Sequence, residues 1–80
     1  MMIIVREGGW SIAVFTRDHP PPHVHARCGR GEVKVAIPPP NEPVQVLRVR
    51  NLSTALAVRG VRLVETYRHE LRAAWSAIHD

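Results

Sequence analysis

Three of the chain's five histidines fall in one segment, "RDHPPPHVHARCGRG" (17–31), where Asp18 and His19 precede three prolines and His23 and His25 follow them. Imidazoles and a carboxylate gathered in this way are the donors and acceptors used in proton transfer, phosphate contact and metal ligation. On an extended segment His23 and His25, two apart, leave the same face, because side chains alternate along a strand. Helical spacing would scatter them.

One structural role and two chemistries compete for this segment. In the structural role, Asp18 and His19 hydrogen-bond to nearby backbone and lock a rigid proline turn, and His23 and His25 simply line a polar face. In the second reading, His23, His25, Arg27 and Lys34 form a phosphate-binding cluster. There a neutral imidazole, His23 or His25 as the catalytic candidate, could take a proton from an RNA ribose hydroxyl while the cations stabilise charge on the phosphate. In the third, Asp18, His19, His23 and His25 supply ligands to a divalent metal with one position left open, as in catalytic zinc centres. Lys34 and Arg27 weigh against that reading by repelling a dication. A further likeness, of "HVHAR" to the alternating histidines of histidine-triad hydrolases, fails because Arg27 stands in the third histidine's place and the strand precedes the long helix.

The elements that must position these groups follow from pattern. Met2 to Val5 and "WSIAVFT" read as two strands joined by a glycine turn. Proline has no amide donor and a fixed φ, so "HPPPH" is a stiff connection and the next strand begins at about His23. "HVHARC" and "EVKVAI" are strand-like on either side of "GRG". Their apolar sets, Val24/Ala26/Cys28 and Val33/Val35/Ile37, lie opposite each other only with an even loop, of two residues (Gly29 and Arg30) or four. With two, Val24 meets Val35 and Ala26 meets Val33, and the polar face carries His25 opposite Lys34 and Arg27 opposite Glu32. "PPPNEP" is a second proline loop, and "VQVLRV" reads as a further strand or extended segment.

From Ser53, a suitable N-cap, the period becomes helical. Positions 57, 61, 64, 71, 75 and 78 hold Ala, Val, Val, Leu, Trp and Ile, interrupted only by Arg68. A row of Leu56, Leu63, Tyr67 and Ala74 widens the stripe, and Gly60 marks a bend or a close packing contact. Tyr67 and Trp75 therefore read as core residues, and the helix arginines as a solvated face or, functionally, a phosphate track. The expected architecture is α+β: residues 1–80 form a single domain, an antiparallel sheet of four or five strands packed by one long C-terminal helix.

Composition narrows the partners. The 80 residues allow one small core, which makes association with a partner protein or a second copy of the chain plausible. The formal net charge is +4, and ten of the eleven basic residues are arginine, a balance suited to RNA, DNA or an acidic protein. A lone Cys28 gives no disulfide and no thiolate zinc site. No apolar stretch approaches the roughly 20 residues of a membrane span, and the expectation is a cytosolic protein with no membrane partner. No cofactor is expected, a divalent metal being the exception that the third reading allows.

"DHPPPHVHAR", the following "EVKVAI" and the later "RLVETYRHELRAAW" resemble the domain-of-unknown-function family 4160, short prokaryotic proteins with an Asp-His-x-Pro-Pro-His-x-His signature and a C-terminal Glu-Leu-x-x-x-Trp pattern. The matching residues are Asp18, His19, Pro21, Pro22, His23, His25, Glu70, Leu71 and Trp75. The resemblance implies membership of a two-gene cassette, commonly beside a small protein of domain-of-unknown-function family 2442, and hence a component of a toxin–antitoxin-type pair. No reaction comes with it. The function expected is therefore binding of that partner protein, and of nucleic acid, through the basic His/Arg/Lys face. The alternatives are a ribonuclease or metal-dependent hydrolase built on the histidines, or a purely protein-binding module.

Overall fold

A computed structural model describes residues 1–80. Five strands, β1 (Met2–Glu7), β2 (Trp10–Val14), β3 (His23–Cys28), β4 (Gly31–Ala36) and β5 (Gln45–Arg50), form one antiparallel sheet in sequence order. Gly8 and Gly9 close the first hairpin with φ of 55° and 84°, the left-handed pair that a two-residue turn matched to strand twist requires. The second hairpin turns on Gly29 and Arg30. Its register pairs Val24 with Val35, Ala26 with Val33, His25 with Lys34 and Arg27 with Glu32, as apolar patterning predicts.

The helical stretch is not one helix. It is broken into α1 (Thr54–Thr66) and α2 (Arg68–His79), with Tyr67 between them at φ −103° and ψ 19°. A straight helix over residues 54–79 would be about 39 Å long at 1.5 Å per residue, whereas the molecule's longest extent is 33 Å. The break turns the chain back over the sheet: α1 lies on β3 and β4, and α2 on β1, β2 and β3. Ser53 caps α1, its hydroxyl accepting from the Leu56 amide at 3.2 Å.

The apolar stripe and the inner sheet face meet in one core of Val5, Trp10, Ile12, Val14, Val24, Ala26, Val33, Val35, Ile37, Val64, Leu71 and Trp75. Gly60 is a close packing contact. It lets the Trp10 indole lie against the helix, because a Cβ there would stand 2.6 Å from Trp10 Cη2. Arg68, the interruption in the stripe, reaches the loop after β4, where its Nη2 donates to the Pro38 and Pro39 carbonyls at 2.9 and 2.7 Å and to that of Glu42. Arg72 donates to the Ile37 carbonyl at 2.8 Å. These two arginines fasten a loop that prolines leave poor in backbone donors, so they are not a free phosphate track.

Candidate functional site

His25 and Arg27 leave β3 on the face opposite the helices, and Glu32 and Lys34 of β4 stand beside them. That face is not open over the histidines. Phe15, just past β2, stacks on His25 with ring centroids 4.1 Å apart and planes 9° apart, and the Arg27 guanidinium lies over the Phe15 ring, 5.2 Å from its centroid. Phe15 thus covers His25 from a face that strand parity alone leaves bare. His23, at the mouth of β3, packs against Trp75 of α2, 5.2 Å between centroids. Both imidazoles are buried, 4 % and 6 % exposed.

The segment between Phe15 and His23 closes over them. It turns at Asp18, whose amide donates to the Phe15 carbonyl at 3.2 Å, and it contains a cis peptide at Pro20–Pro21. The turn delivers Asp18 to the histidines, with Oδ2 2.8 Å from His25 Nε2 and 3.1 Å from His23 Nε2. Of the rings' other nitrogens, His23 Nδ1 lies 2.8 Å from the Pro21 carbonyl, and His25 Nδ1 lies 3.3 Å from Glu32 Oε1 with no hydrogen bond between them. Asp18, His23 and His25 therefore form one cluster. His19, the fourth expected ligand, is exposed and outside it.

Glu32 is the second hub. Its carboxylate is buried, yet it accepts from Arg27 Nε at 3.0 Å and has Arg48 and Arg50 Nη2 at 3.5 and 3.6 Å. Burial alone would raise its pKa. The Arg27 hydrogen bond and the neighbouring positive charges, those of Arg27 and Arg50 among them, outweigh that and hold the carboxyl below the usual range. The expected phosphate site of His23, His25, Arg27 and Lys34 is accordingly divided. The two imidazoles are enclosed among carboxylates, Arg27 is exposed but paired, and Lys34 is half-buried. None of the surface hollows is lined by His23 or His25.

A family model described as a domain of unknown function, DUF4160, matches residues 9–76. The chain belongs to that family. The match takes in the histidine cluster, all of β2 to β5 and the break at Tyr67, so this DUF4160 chain carries both hubs within its family region. Comparison with curated proteins and with solved structures returned no match.

Three contributors escape a reading of residue spacing. Glu32 as a common partner of three arginines needs β5 placed beside β4, and Phe15 as a cover needs the path of the loop after β2. His79 stacks on Trp75 at 3.7 Å and has Nδ1 2.9 Å from the Trp75 carbonyl. Only this last contact has a local signal, the one-turn spacing of positions 75 and 79.

The other distinctive surface is β5. It is the outer strand beyond β4, and all six of its residues are exposed. A bulge at Leu47 leaves Val46 and Val49 opposite Val35 and Val33 on the helix side, while Arg48 and Arg50 stand on the other face opposite Lys34 and Glu32. Between β5 and α1 lies a hollow of about 450 Å³ lined by Val46, Val49, Leu52, Ala57, Val58 and Val61.

Proposed function

We propose that this DUF4160 protein is a cytosolic, partner-binding component of a toxin–antitoxin-type gene pair, and that β5 receives an extended strand of the partner protein. The observation that carries the reading is β5 itself, a whole strand exposed at the sheet edge. Such an edge presents a row of unpaired amides and carbonyls that a second chain can complete. The added strand would place alternate apolar side chains against Val46, Val49 and Val58, and its acidic side chains against Arg48 and Arg50.

Charge selects the kind of partner. Two copies of this chain joined antiparallel through β5 would bring Arg48 and Arg50 of one against those of the other, a destabilising arrangement of like charges. A strand bearing Asp or Glu meets no such penalty. Val46 and Val49 are 52 % and 44 % exposed, an apolar area that a strand and its flanking residues would remove from water.

A second reading, contact with RNA or DNA across Arg27, Lys34, Arg48 and Arg50, is favoured by the net charge of +4. Salt separates the two, because phosphate contacts weaken steeply as counterions are restored. Catalysis by His23 or His25 finds less support. A general base needs a substrate atom within about 3 Å of its nitrogen, and these nitrogens face Asp18, Glu32 and Pro21.

The deciding experiment is calorimetric titration of the chain with the product of the neighbouring gene, in parallel with fluorescence anisotropy against single- and double-stranded nucleic acid at 50 and 300 mM salt. One-to-one protein binding is expected, at least about tenfold weaker for Val49→Lys and for Arg50→Glu and unchanged for Arg59→Ala on α1. Binding of nucleic acid alone, lost at the higher salt, would replace this reading with the second.

A further inference from the structure

We propose that Asp18 Oδ2, His23 Nε2 and His25 Nε2 bind a single divalent transition-metal ion of the zinc type, which pins the Phe15–Pro22 loop onto β3. This inference is independent of β5 and of any partner.

Proton counting drives it. A carbonyl oxygen can only accept, so His23 Nδ1 must be the donor in its 2.8 Å contact with Pro21. A neutral ring then has no proton left for Nε2, which lies 3.1 Å from Asp18 Oδ2 with no hydrogen bond between them. That nitrogen is fully enclosed and has no hydrogen-bond partner. In a neutral His25 the one N–H serves the 2.8 Å contact of Nε2 with Asp18, and the enclosed Nδ1, 3.3 Å from Glu32 Oε1, has no hydrogen-bond partner. Two enclosed imidazole nitrogens of one cluster are thus left unpartnered, each costly in a dry site. A dication bound by these three residues takes up the His23 Nε2 lone pair and moves the His25 proton to Nδ1, beside Glu32 Oε1.

The outer contacts fit the same ion. Metal-bound histidines characteristically donate their remaining N–H to a backbone carbonyl or a carboxylate, which fixes the tautomer and aims the ring. His23 has Pro21 for this and His25 has Glu32. The three donor atoms lie within 4.8 Å of one another. Tetrahedral ligands at about 2.0–2.1 Å from zinc stand roughly 3.3 Å apart, so the Asp18 contacts need to open by only a few tenths of an ångström. Two imidazoles and one carboxylate favour zinc-like ions over magnesium or calcium, which prefer all-oxygen shells.

The objection that Arg27 would repel a dication loses force once Glu32 is placed, since its carboxylate accepts from Arg27 and lies 3.3 Å from His25 Nδ1. Phe15 and Trp75 wall the cluster on two sides, and no surface hollow is lined by Asp18 or either histidine. The ion's role is thus to hold the loop.

The test uses the full chain without an affinity tag, stripped with chelator and titrated with cobalt(II). Expected are saturation at one equivalent, visible d–d absorption of a low-coordinate nitrogen/oxygen site, displacement by zinc, and a thermal midpoint that rises with added zinc. Asp18→Asn, a near-isosteric change at a partly exposed position, should keep the circular dichroism of the parent and bind cobalt at least about tenfold more weakly, whereas His19→Ala and His69→Ala should bind as the parent does. Should Asp18→Asn fail to fold, proton NMR of the cobalt-loaded parent decides, two hyperfine-shifted imidazole systems being required. The proposal is overturned by a folded parent that takes up no cobalt, by a sulfur-to-cobalt charge-transfer band implicating Cys28, by Asp18→Asn binding at parental strength, by loss of binding in His19→Ala or His69→Ala, or by fewer than two shifted imidazoles.

Discussion

Arg27 and Glu32 face each other across the β3–β4 ladder, and the guanidinium Nε donates to the buried carboxylate at 3.0 Å while remaining 43 % exposed itself. The asymmetry matters energetically. Removing the carboxylate's charge leaves Arg27, Arg48 and Arg50 free to rehydrate, so the loss is that of charge-assisted hydrogen bonds and lies below that of a sealed ion pair. Glu32→Gln should lower stability by about 1–3 kcal/mol, read as a reduced urea midpoint with an unchanged slope.

Gly60 and Trp10 give a prediction of opposite logic. Alanine in a helix interior is ordinarily worth about 1 kcal/mol over glycine. Here the new methyl would meet the Trp10 indole at 2.6 and 2.7 Å and Val33 Cγ1 at 3.1 Å in a filled core, and overpacking of that kind costs about 1–3 kcal/mol. Gly60→Ala is therefore expected to lower the thermal midpoint while raising intrinsic helix propensity, whereas Ala55→Gly on the exposed side of α1 should lower it by propensity alone.

How far the residues announce all this depends on the range of the interaction. Register between β3 and β4 was legible because Val24, Ala26, Val33 and Val35 must share a buried face and a two-residue turn admits one pairing. His25 beside Lys34 and Arg27 beside Glu32 followed from it. Parity names a face but not what covers it, and so the stacking of Phe15 on His25 could not be read from spacing, whereas Asp18 meeting both imidazoles was one of the readings the segment offered, with His19 wrongly included. The helical stripe was legible through Val64, Leu71 and Trp75, all buried as expected. Its break was not, since Tyr67 falls in register with the stripe. Arg68 was visible only as an apolar gap, because its partners are carbonyls of a loop roughly thirty residues earlier.

Tyr67 supplies a pH prediction. Its hydroxyl donates to Glu7 Oε1 at 2.5 Å, and that hydrogen bond, together with the negative charge of Glu7, raises the phenol above its ordinary value near 10. A folded pKa above the unfolded one means that the native state holds its proton longer. The contribution is present in full below the unfolded value and is lost as pH rises through the folded one. The chain has a single tyrosine, so tyrosinate absorbance near 295 nm reports this group alone. Its midpoint should lie above 10 in the folded chain and move down in Glu7→Gln.

Arg68 tests how the fold supports the edge strand. Its one Nη2 serves the carbonyls of Pro38, Pro39 and Glu42, and the only backbone hydrogen bond inside that loop runs from the Glu42 amide to the Pro39 carbonyl at 2.9 Å. With prolines at 38, 39, 40 and 43 the segment can make little further ladder of its own, so its position depends on the helix above it. Arg68→Ala should cost about 1–3 kcal/mol, and Arg68→Lys, whose ammonium lacks the planar fork, should recover only part of that. The loss should be local: faster amide exchange at Glu42 and new protease cleavage between residues 38 and 44, with the amides of β3 and β4 still protected. Because the same loop leads directly into β5, whatever that edge binds should bind more weakly in Arg68→Ala, although no residue of β5 has been changed.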